Sequence, residues 1–186
     1  MFIQTQTTPN PNTIKFLPGQ VLMDSGSREF LSAQEAKQSP LAERLFNLDG
    51  VKSVFFSGDY VSVTKDDAAS WDFLKARVLA GVMEHFSMGM PLFNDSAAEA
   101  AGHSGEDDDE IVVQIKELLD TRVRPAVAQD GGDILFDRFD KGIVYLHMRG
   151  ACAGCPSSTM TLKSGIENML RHYIPEVLEV RPAAEY

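Results

Sequence analysis

The sequence predicts an α+β protein with two small mixed α/β domains joined by an acidic flexible linker. The order helix, hairpin, helix occurs twice along the chain, and a segment rich in Ala, Gly, Ser and acidic residues separates the two occurrences. We place the first domain at residues 1–91, the linker at 92–108 and the second domain at 109–186. Apolar residues make up 44% of the 186 residues, which is typical of globular domains with a packed core.

Local signals in the first domain support each predicted element. The stretch PNPN at 9–12 has the composition of a turn, and an extended TIKFL follows it. The spacing of SAQE at 32–35 predicts a capping box, and Ser39 before a proline predicts the start of a second helix. The runs VKSVFF and YVSVTK around SGD predict a hairpin, and Ser70 is the predicted cap of a longer helix.

The second domain begins with a predicted helix, whose apolar stripe is Ile111, Ile115, Leu118 and Leu119. We expect Pro125 to kink or end this helix, because proline has no amide proton to donate. The stretch DGGD at 130–133 predicts a turn in which both glycines are free to take positive φ. A second hairpin follows, formed by DILFDRF and GIVYLHM.

A final helix and strand complete the second domain. The helix is predicted from about Pro156, and Pro175 is predicted to end it before a short strand, VLEVRP. Its inward-facing residues are predicted to be Leu162, Ile166, Met169, Leu170 and Tyr173.

The charge distribution argues against several classes of partner. The formal net charge is −10, and residues 95–108 contribute five acidic and no basic residues. Nucleic acids and anionic membranes require basic surfaces, so we expect neither as a partner. No apolar run is long enough to span a bilayer, and the first residues resemble neither a signal peptide nor a transit segment. We therefore expect a cytoplasmic location, with the bacterial cytosol preferred and an organelle matrix after processing as the alternative.

The two cysteines of the chain form one close pair, Cys152 and Cys155, in the stretch RGACAGCPSST. A single pair with this spacing is compatible with zinc, an iron–sulfur cluster, dithiol redox chemistry or simple packing. Gly150 and Gly154 allow the loop to bend tightly, and the loop precedes a predicted helix. The N-terminus of a helix favours anions such as thiolates, because its amide groups are unpaired and its dipole end is positive.

Two thiols supply only half of a four-ligand site. Structural zinc and iron–sulfur clusters typically have four protein ligands. His147 lies on a strand face with alternating packing residues, and His172 lies in a last helical turn, so neither is predicted to be a ligand. His85 and His103 belong to the first domain and the linker. The simplest completion is a second copy of the chain, because a two-fold dimer brings two identical loops together.

The extended motifs make a resemblance specific. Residues 109–182 resemble the C-terminal domain of Nfu-type (NifU-like) iron–sulfur proteins through RPAVAQDGGDI, GACAGCPSSTMTLKSGIE and IPEVLEV. Residues 1–90 resemble the Nfu N-terminal domain through TPNPNTIKFLPG, SPLAERLF and GVKSVFFSGDYVSVTK. Together the two resemblances cover nearly the whole chain except the linker.

This resemblance implies a scaffold or carrier for iron–sulfur clusters. It implies that Cys152 and Cys155 are the ligands of a [4Fe–4S] cluster that bridges two protomers, although the ligand count alone also fits [2Fe–2S]. The implied partners are a second copy of the chain, apo iron–sulfur client proteins and upstream cluster assembly proteins. The N-terminal domain is implied to help in selecting clients, and no catalytic residue or enzymatic turnover is expected.

Two other functions remain open at this level. A thioredoxin-like dithiol–disulfide oxidoreductase also places C-x-x-C between a strand and a helix. A helix and a hairpin precede the motif here, which differs from the usual βαβ pattern, and no aromatic residue directly precedes Cys152. A zinc-binding dimer is the other alternative, because two thiolate pairs would complete a tetrahedral site.

Overall fold

The computed structural model describes residues 2–94, 109–154 and 156–183, with only the backbone at 156–158. The chain divides into two compact units, Met1–His103 and Ser104–Tyr186. Each unit contains helices and its own antiparallel or mixed sheet, so the predicted α+β class is confirmed. Among the helices described, none is long and apolar enough to cross a membrane.

The first unit is a five-stranded antiparallel sheet covered by helices. Its elements are β1 (Gln4–Thr7), β2 (Thr13–Leu17), β3 (Ser27–Phe30), α1 (Ala33–Ala36), α2 (Pro40–Phe46), β4 (Val51–Ser57), β5 (Tyr60–Lys65) and α3 (Trp71–Ser87). The strand order is β1-β2-β5-β4-β3, so the predicted hairpin β4–β5 lies inside the sheet. The sequence did not predict the two edge strands β1 and β3, because their polar QTQT and SREF carry little apolar alternation.

The predicted helix caps of the first unit are confirmed. The Ser39 hydroxyl accepts a hydrogen bond from the Ala42 amide at 3.2 Å, and Ser70 caps α3 in the same way. Ser32 accepts from the Glu35 amide at 3.3 Å, as in a capping box. The Glu35 carboxylate accepts from the Leu31 amide, one residue before the cap itself.

The first unit contains a buried histidine, His85. His85 lies in the last turn of α3 and is completely buried. Neither ring nitrogen has a hydrogen-bond partner among the described residues. Burial and the positive charge of Arg44 lower the pKa of His85 from its usual 6.5, so the neutral ring is favoured in the folded unit.

The second unit packs helices against a three-stranded sheet. Its elements are α4 (Glu110–Leu118), a π-helical turn (Leu119–Val123), α5 (Arg124–Gln129), β6 (Gly132–Asp140), β7 (Ile143–Gly150), α6 (Pro156–Tyr173) and β8 (Glu179–Pro182). The hairpin β6–β7 is antiparallel, and β8 pairs with β7 in parallel. The strands β7 and β8 together with α6 therefore form a βαβ crossover.

Pro125 does not end the first helix of this unit. The chain widens into the π-helical turn at Leu119–Val123, in which the Arg124 amide donates to the Leu119 carbonyl, and α5 continues beyond it. A wider turn accommodates the proline, which cannot donate the next helical hydrogen bond. The expected kink is thus a change of helical pitch, and the alternative that the helix ends at Pro125 is wrong.

Helix α6 faces the core mainly as predicted, with one exception. Ile166 and Leu170 are buried, and Leu162 and Met169 pack against the core. Tyr173, which was predicted to face inward, is 47% exposed. The next residue, Ile174, takes the buried position at the helix end, and the Arg122 guanidinium lies over the Tyr173 ring at 5.2 Å.

The first residues of the predicted linker pack against the first unit. The Phe93 ring lies 6.0 Å from that of Phe56, and the Asn94 side-chain amide donates to the Lys37 carbonyl at 2.7 Å. The remainder of the predicted linker, residues 95–108, lies outside the described residues. The assignment of 92–108 as a flexible linker stays a prediction.

Candidate functional site

The cysteine loop connects the end of β7 to the start of α6. Gly150 and Gly154 take positive φ angles of 65° and 74°, which L residues with side chains rarely adopt. These two glycines reverse the chain on either side of Cys152. The predicted tight loop at a helix N-terminus is confirmed, whereas Cys155 lies outside the described residues.

Cys152 belongs to the hydrophobic core of the second unit. The residue is 6% exposed and lies in one cluster with Ile134, Leu146 and Ile166. The Thr159 hydroxyl of α6 donates to the Cys152 carbonyl at 3.4 Å, so the first turns of the helix hold the backbone of the loop. The Cys152 sulfur is therefore buried, and the surrounding core residues define its position.

Gly132, the first residue of β6, lies directly against Cys152. A Cβ atom at Gly132 would be 2.6 Å from the Cys152 sulfur and 2.7 Å from the Arg149 carbonyl oxygen. Contacts this short essentially never occur, so a side chain at this position would require both the Cys152 side chain and the β7 backbone at Arg149 to shift. Gly132 also faces Gly150 across the β6–β7 ladder, and the Ala151 amide donates to the Gly131 carbonyl at 3.2 Å.

The stretch DGGD therefore does more than form a turn. Gly131 takes a positive φ of 81°, as expected for the turn. Gly132 lies within a strand, so the expectation that both glycines serve the turn conformation is wrong. Sequence reasoning missed the contact with Cys152. The available signal was that one glycine is sufficient for the turn and the second needs another explanation.

A partly buried ion pair between Arg124 and Asp133 fixes the start of β6, next to Gly132. The Arg124 guanidinium donates to both carboxylate oxygens of Asp133, at 2.8 Å and 2.9 Å. The Ile134 amide also donates to Asp133 at 2.8 Å, and the Asp133 side chain is only 5% exposed. These hydrogen bonds to Asp133 raise the pKa of the Arg124 guanidinium above its usual value. The pair joins α5 to the strand that contacts Cys152, and sequence reasoning did not find it.

Electrostatics at the loop favour thiolates. Helix α6 has 18 residues, and no acidic residue lies in its first turn. The positive dipole end of α6 therefore meets the cysteine loop without a carboxylate from the helix's own first turn. A thiolate, or an anionic cluster bound by thiolates, is stabilised in such a position.

The two histidines described in the second unit, His147 and His172, each have a neighbouring side chain as a partner. His147 is half-buried on β7, and its Nε2 lies 3.2 Å from an oxygen of Asp137. His172 lies in the last turn of α6, in contact with the ring of Tyr173. Within the described part of the chain, no group of three or more His, Cys, Asp or Glu side chains could hold a metal ion.

Comparisons with known proteins identify the family. The model described as "Scaffold protein Nfu/NifU N terminal" matches residues 3–89, and the one described as "NifU-like domain" matches residues 115–181. The chain belongs to the Nfu/NifU family. Both matches fall where the sequence predicted the two Nfu-type domains, so the predicted resemblance is confirmed.

Relatives from plants and insects span both domains of this Nfu/NifU chain. NifU-like protein 4, mitochondrial, of Arabidopsis thaliana is 56% identical over 181 residues, covering 95% of this chain and 64% of the relative. The NFU1 iron-sulfur cluster scaffold homolog, mitochondrial, of Drosophila willistoni is 51% identical, covering 97% of this chain and 63% of the relative. The chain thus spans somewhat less than two thirds of the length of these curated relatives.

A solved structure shares a lower similarity. The solution NMR structure of a NifU-like protein from Saccharomyces cerevisiae is 25% identical, with a TM-score of 0.47. The match covers 51% of the present chain and 86% of the Saccharomyces cerevisiae chain.

A helix and a hairpin precede C-x-x-C, as the sequence predicts. Strands β7 and β8 with α6 nevertheless form a parallel βαβ crossover across the loop, which the sequence did not predict. The local topology therefore does not separate a cluster carrier from a dithiol oxidoreductase. The relatives reported above are named as NifU-like and iron-sulfur cluster scaffold proteins.

Proposed function

We propose that this Nfu/NifU protein is an iron–sulfur cluster scaffold that carries a [4Fe–4S] cluster and transfers it to apo-proteins. The observation that supports this most is a C-x-x-C loop at the N-terminus of the long helix α6, with positive φ at Gly150 before the motif and at Gly154 within it. This arrangement favours thiolates and occurs in a chain whose relatives are named iron-sulfur cluster scaffolds.

Cys152 and Cys155 are the ligands in this proposal, and the cluster is shared between two copies of the chain. Each copy offers two thiolates, and a four-ligand cluster needs four. A two-fold axis through the cluster supplies the second pair with the same geometry as the first. The same four thiolates could hold [2Fe–2S], so the choice of [4Fe–4S] follows the family resemblance.

Sharing the cluster makes its transfer stepwise. Thiolates of an acceptor protein replace those of one loop while the second loop still holds the cargo. Each incoming thiol releases a proton when it binds iron, and each departing thiolate takes one up. Iron and sulfide keep their oxidation states, so we expect ligand exchange without enzymatic turnover or a covalent intermediate.

The proposed partners are apo iron–sulfur clients and the assembly proteins that supply the cluster. The first unit, which matches the Nfu N-terminal model, is proposed to help in selecting them. A reducing compartment suits free cluster-binding thiols, because it keeps them from pairing as disulfides. The bacterial cytosol expected from the sequence meets this condition, as does the organelle matrix indicated by the names of the mitochondrial relatives.

Anaerobic reconstitution with iron and sulfide tests the proposal. We expect visible absorbance, about four iron and four sulfide per two chains, and a native mass of a dimer. Cys152→Ser and Cys155→Ser should each abolish stable loading. Gly165→Ala is the matched control, because a Cβ at this position of α6 meets nothing within 4 Å.

Other outcomes would support the alternatives. A loaded chain that stays monomeric, or normal loading and delivery by Cys155→Ser, would contradict the shared-ligand proposal. Disulfide reduction by the wild type without cluster loading would support the dithiol oxidoreductase. Stoichiometric zinc in protein purified without oxygen, together with failed reconstitution, would support a zinc dimer.

A further inference from the structure

The Cys152 side chain is directed into the second unit. The residue is 6% exposed and packs with the core of this unit. Its sulfur lies against the α-carbon of Gly132, where any Cβ would be 2.6 Å from it. We term this space, bounded by Gly132 and occupied by the Cys152 sulfur, the thiol seat.

A seated sulfur cannot bind a shared cluster. Cargo held between two chains lies outside each unit, and a thiolate binds iron directly through its sulfur. The seat places the sulfur against the backbone of β6, in a residue that is only 6% exposed. Loading therefore requires the Cys152 side chain to leave the seat and turn outward.

We propose that Gly132 is a positioning residue that keeps the Cys152 thiol seated in the cluster-free protein and releases it when the cluster binds. This inference rests on the proposed function, because it describes the regulation of the same site. Gly132 acts through Cys152 and does not itself touch the cargo. Its missing side chain is what creates the seat.

The local structure suits such a movement. The base of the seat is fixed by the ion pair between Arg124 and Asp133, next to Gly132. The loop above it turns at Gly150 and Gly154, both with positive φ. Rotation about the Cα–Cβ bond of Cys152 would move the sulfur away from Gly132 without separating β6 from β7.

Seating the thiol has two chemical consequences. A buried thiol is shielded from oxidants and from unwanted metal ions while the protein waits for cargo. Loading also exposes a side chain that was packed in the core, and this loss of burial weakens retention of the cluster. Weaker retention favours delivery to a client.

Alkylation of Cys152 in the cluster-free full-length chain tests whether the thiol is seated. In the Cys155→Ser background, Cys152 is the single thiol, because the chain has two cysteines. An unstructured peptide of residues 149–159 with the same substitution gives the reference rate. We expect N-ethylmaleimide to react with the folded chain at least about tenfold more slowly than with the peptide, because opening must precede reaction.

Whether the folded chain is alkylated more slowly or faster than the peptide distinguishes a seated thiol from an exposed one. An exposed thiol at a helix N-terminus would react at least as fast as the peptide, since its thiolate is favoured. Equal or faster reaction of the folded chain would overturn the proposal. This measurement requires no change at Gly132, so it stands even where Gly132 variants do not fold.

Filling the seat provides the second test. In the Cys155→Ser background, Gly132→Ala should speed up alkylation several-fold, and Gly165→Ala should not. Hydrogen exchange of β6 and β7 is measured on the same variants, because the added Cβ also meets the Arg149 carbonyl oxygen at 2.7 Å, and faster alkylation counts as support only where the strand pairing is kept. In the chain with both cysteines, Gly132→Ala should hold a reconstituted cluster longer against a chelator. A folded Gly132→Ala variant with unchanged alkylation and unchanged retention would contradict the positioning role.

The results separate this inference from the proposed function. If the wild type loads as a dimer but Cys152 reacts as fast as the peptide, the carrier function is supported and the seated thiol is contradicted. If Cys152 is protected from alkylation but the chain takes up no cluster, the burial of Cys152 is ordinary core packing. Both proposals then fail.

Discussion

Replacing Arg124 with leucine tests how firmly the base of the cysteine loop is held. Leucine keeps much of the apolar stem of arginine but removes both hydrogen bonds to the Asp133 carboxylate, at 2.8 Å and 2.9 Å. Asp133 is 5% exposed and would remain charged in a buried site. We expect a large loss of stability in the second unit and none in the first.

The size of the loss follows from the environments of the two side chains. Removing one partner of a fully buried ion pair typically destabilises a protein by about 3–5 kcal/mol. The Arg124 side chain is 28% exposed, so water reaches part of the vacated space and reduces the penalty. The Ile134 amide also continues to donate to Asp133. We therefore expect the free energy of unfolding of the second unit to fall by about 2–3 kcal/mol.

Asp120→Asn is the matched control, because Asp120 binds the same guanidinium at 3.0 Å but is 60% exposed. Its expected effect is about 0.5 kcal/mol or less. Hydrogen exchange of peptides from β6 and β7 reports the stability of the second unit. Urea unfolding followed by the fluorescence of Trp71, the one tryptophan of the chain, reports the first unit and should not change.

An Arg124→Leu loss no larger than that of Asp120→Asn would refute the reasoning about the buried pair. An equal shift in the Trp71 transition would also refute it, because the two units would then not lose stability independently.

Two further changes test the first unit. Burial and Arg44 lower the pKa of His85 below 6.5, so the unfolded chain binds the proton more tightly, and stability should fall as the pH drops below 6.5. His85→Leu should flatten this dependence in urea titrations followed by fluorescence, whereas His172→Gln in the second unit should leave it unchanged. Ser39→Ala should lower the free energy of unfolding by about 1 kcal/mol through loss of the buried cap of α2, and the more exposed cap Ser70→Ala by less. Equal losses at the two caps would contradict the role assigned to burial.

Signals that are local in the chain predicted the structure well. Serines before Pro40 and Trp71 cap helices as expected, because the cap and its amide partner are two or three residues apart. The predicted hairpin of DILFDRF and GIVYLHM also forms, and its turn has positive φ at Lys141 and Gly142. The cysteine loop could be located for the same reason.

Features that depend on distant neighbours could not be predicted. The edge strands β1 and β3 form because β2 and β4 offer pairing partners, and their own sequences give little indication of it. Arg124 and Asp133 are nine residues apart and become partners only when α5 packs beside β6. Tyr173 continues the apolar period of α6 but turns outward, because Ile174 fills the core at the helix end.

The contact between Gly132 and Cys152 shows what the sequence alone leaves ambiguous. Two glycines in DGGD are compatible with a loose turn, and two cysteines in C-x-x-C with several chemistries. The fold brings these motifs together, with Gly132 opposite Gly150 and beneath the Cys152 sulfur. A metal site that only held its cargo would favour a thiol that is already turned toward it. A site that must also release its cargo is better served by an alternative position for the empty ligand, and the space at Gly132 provides that position.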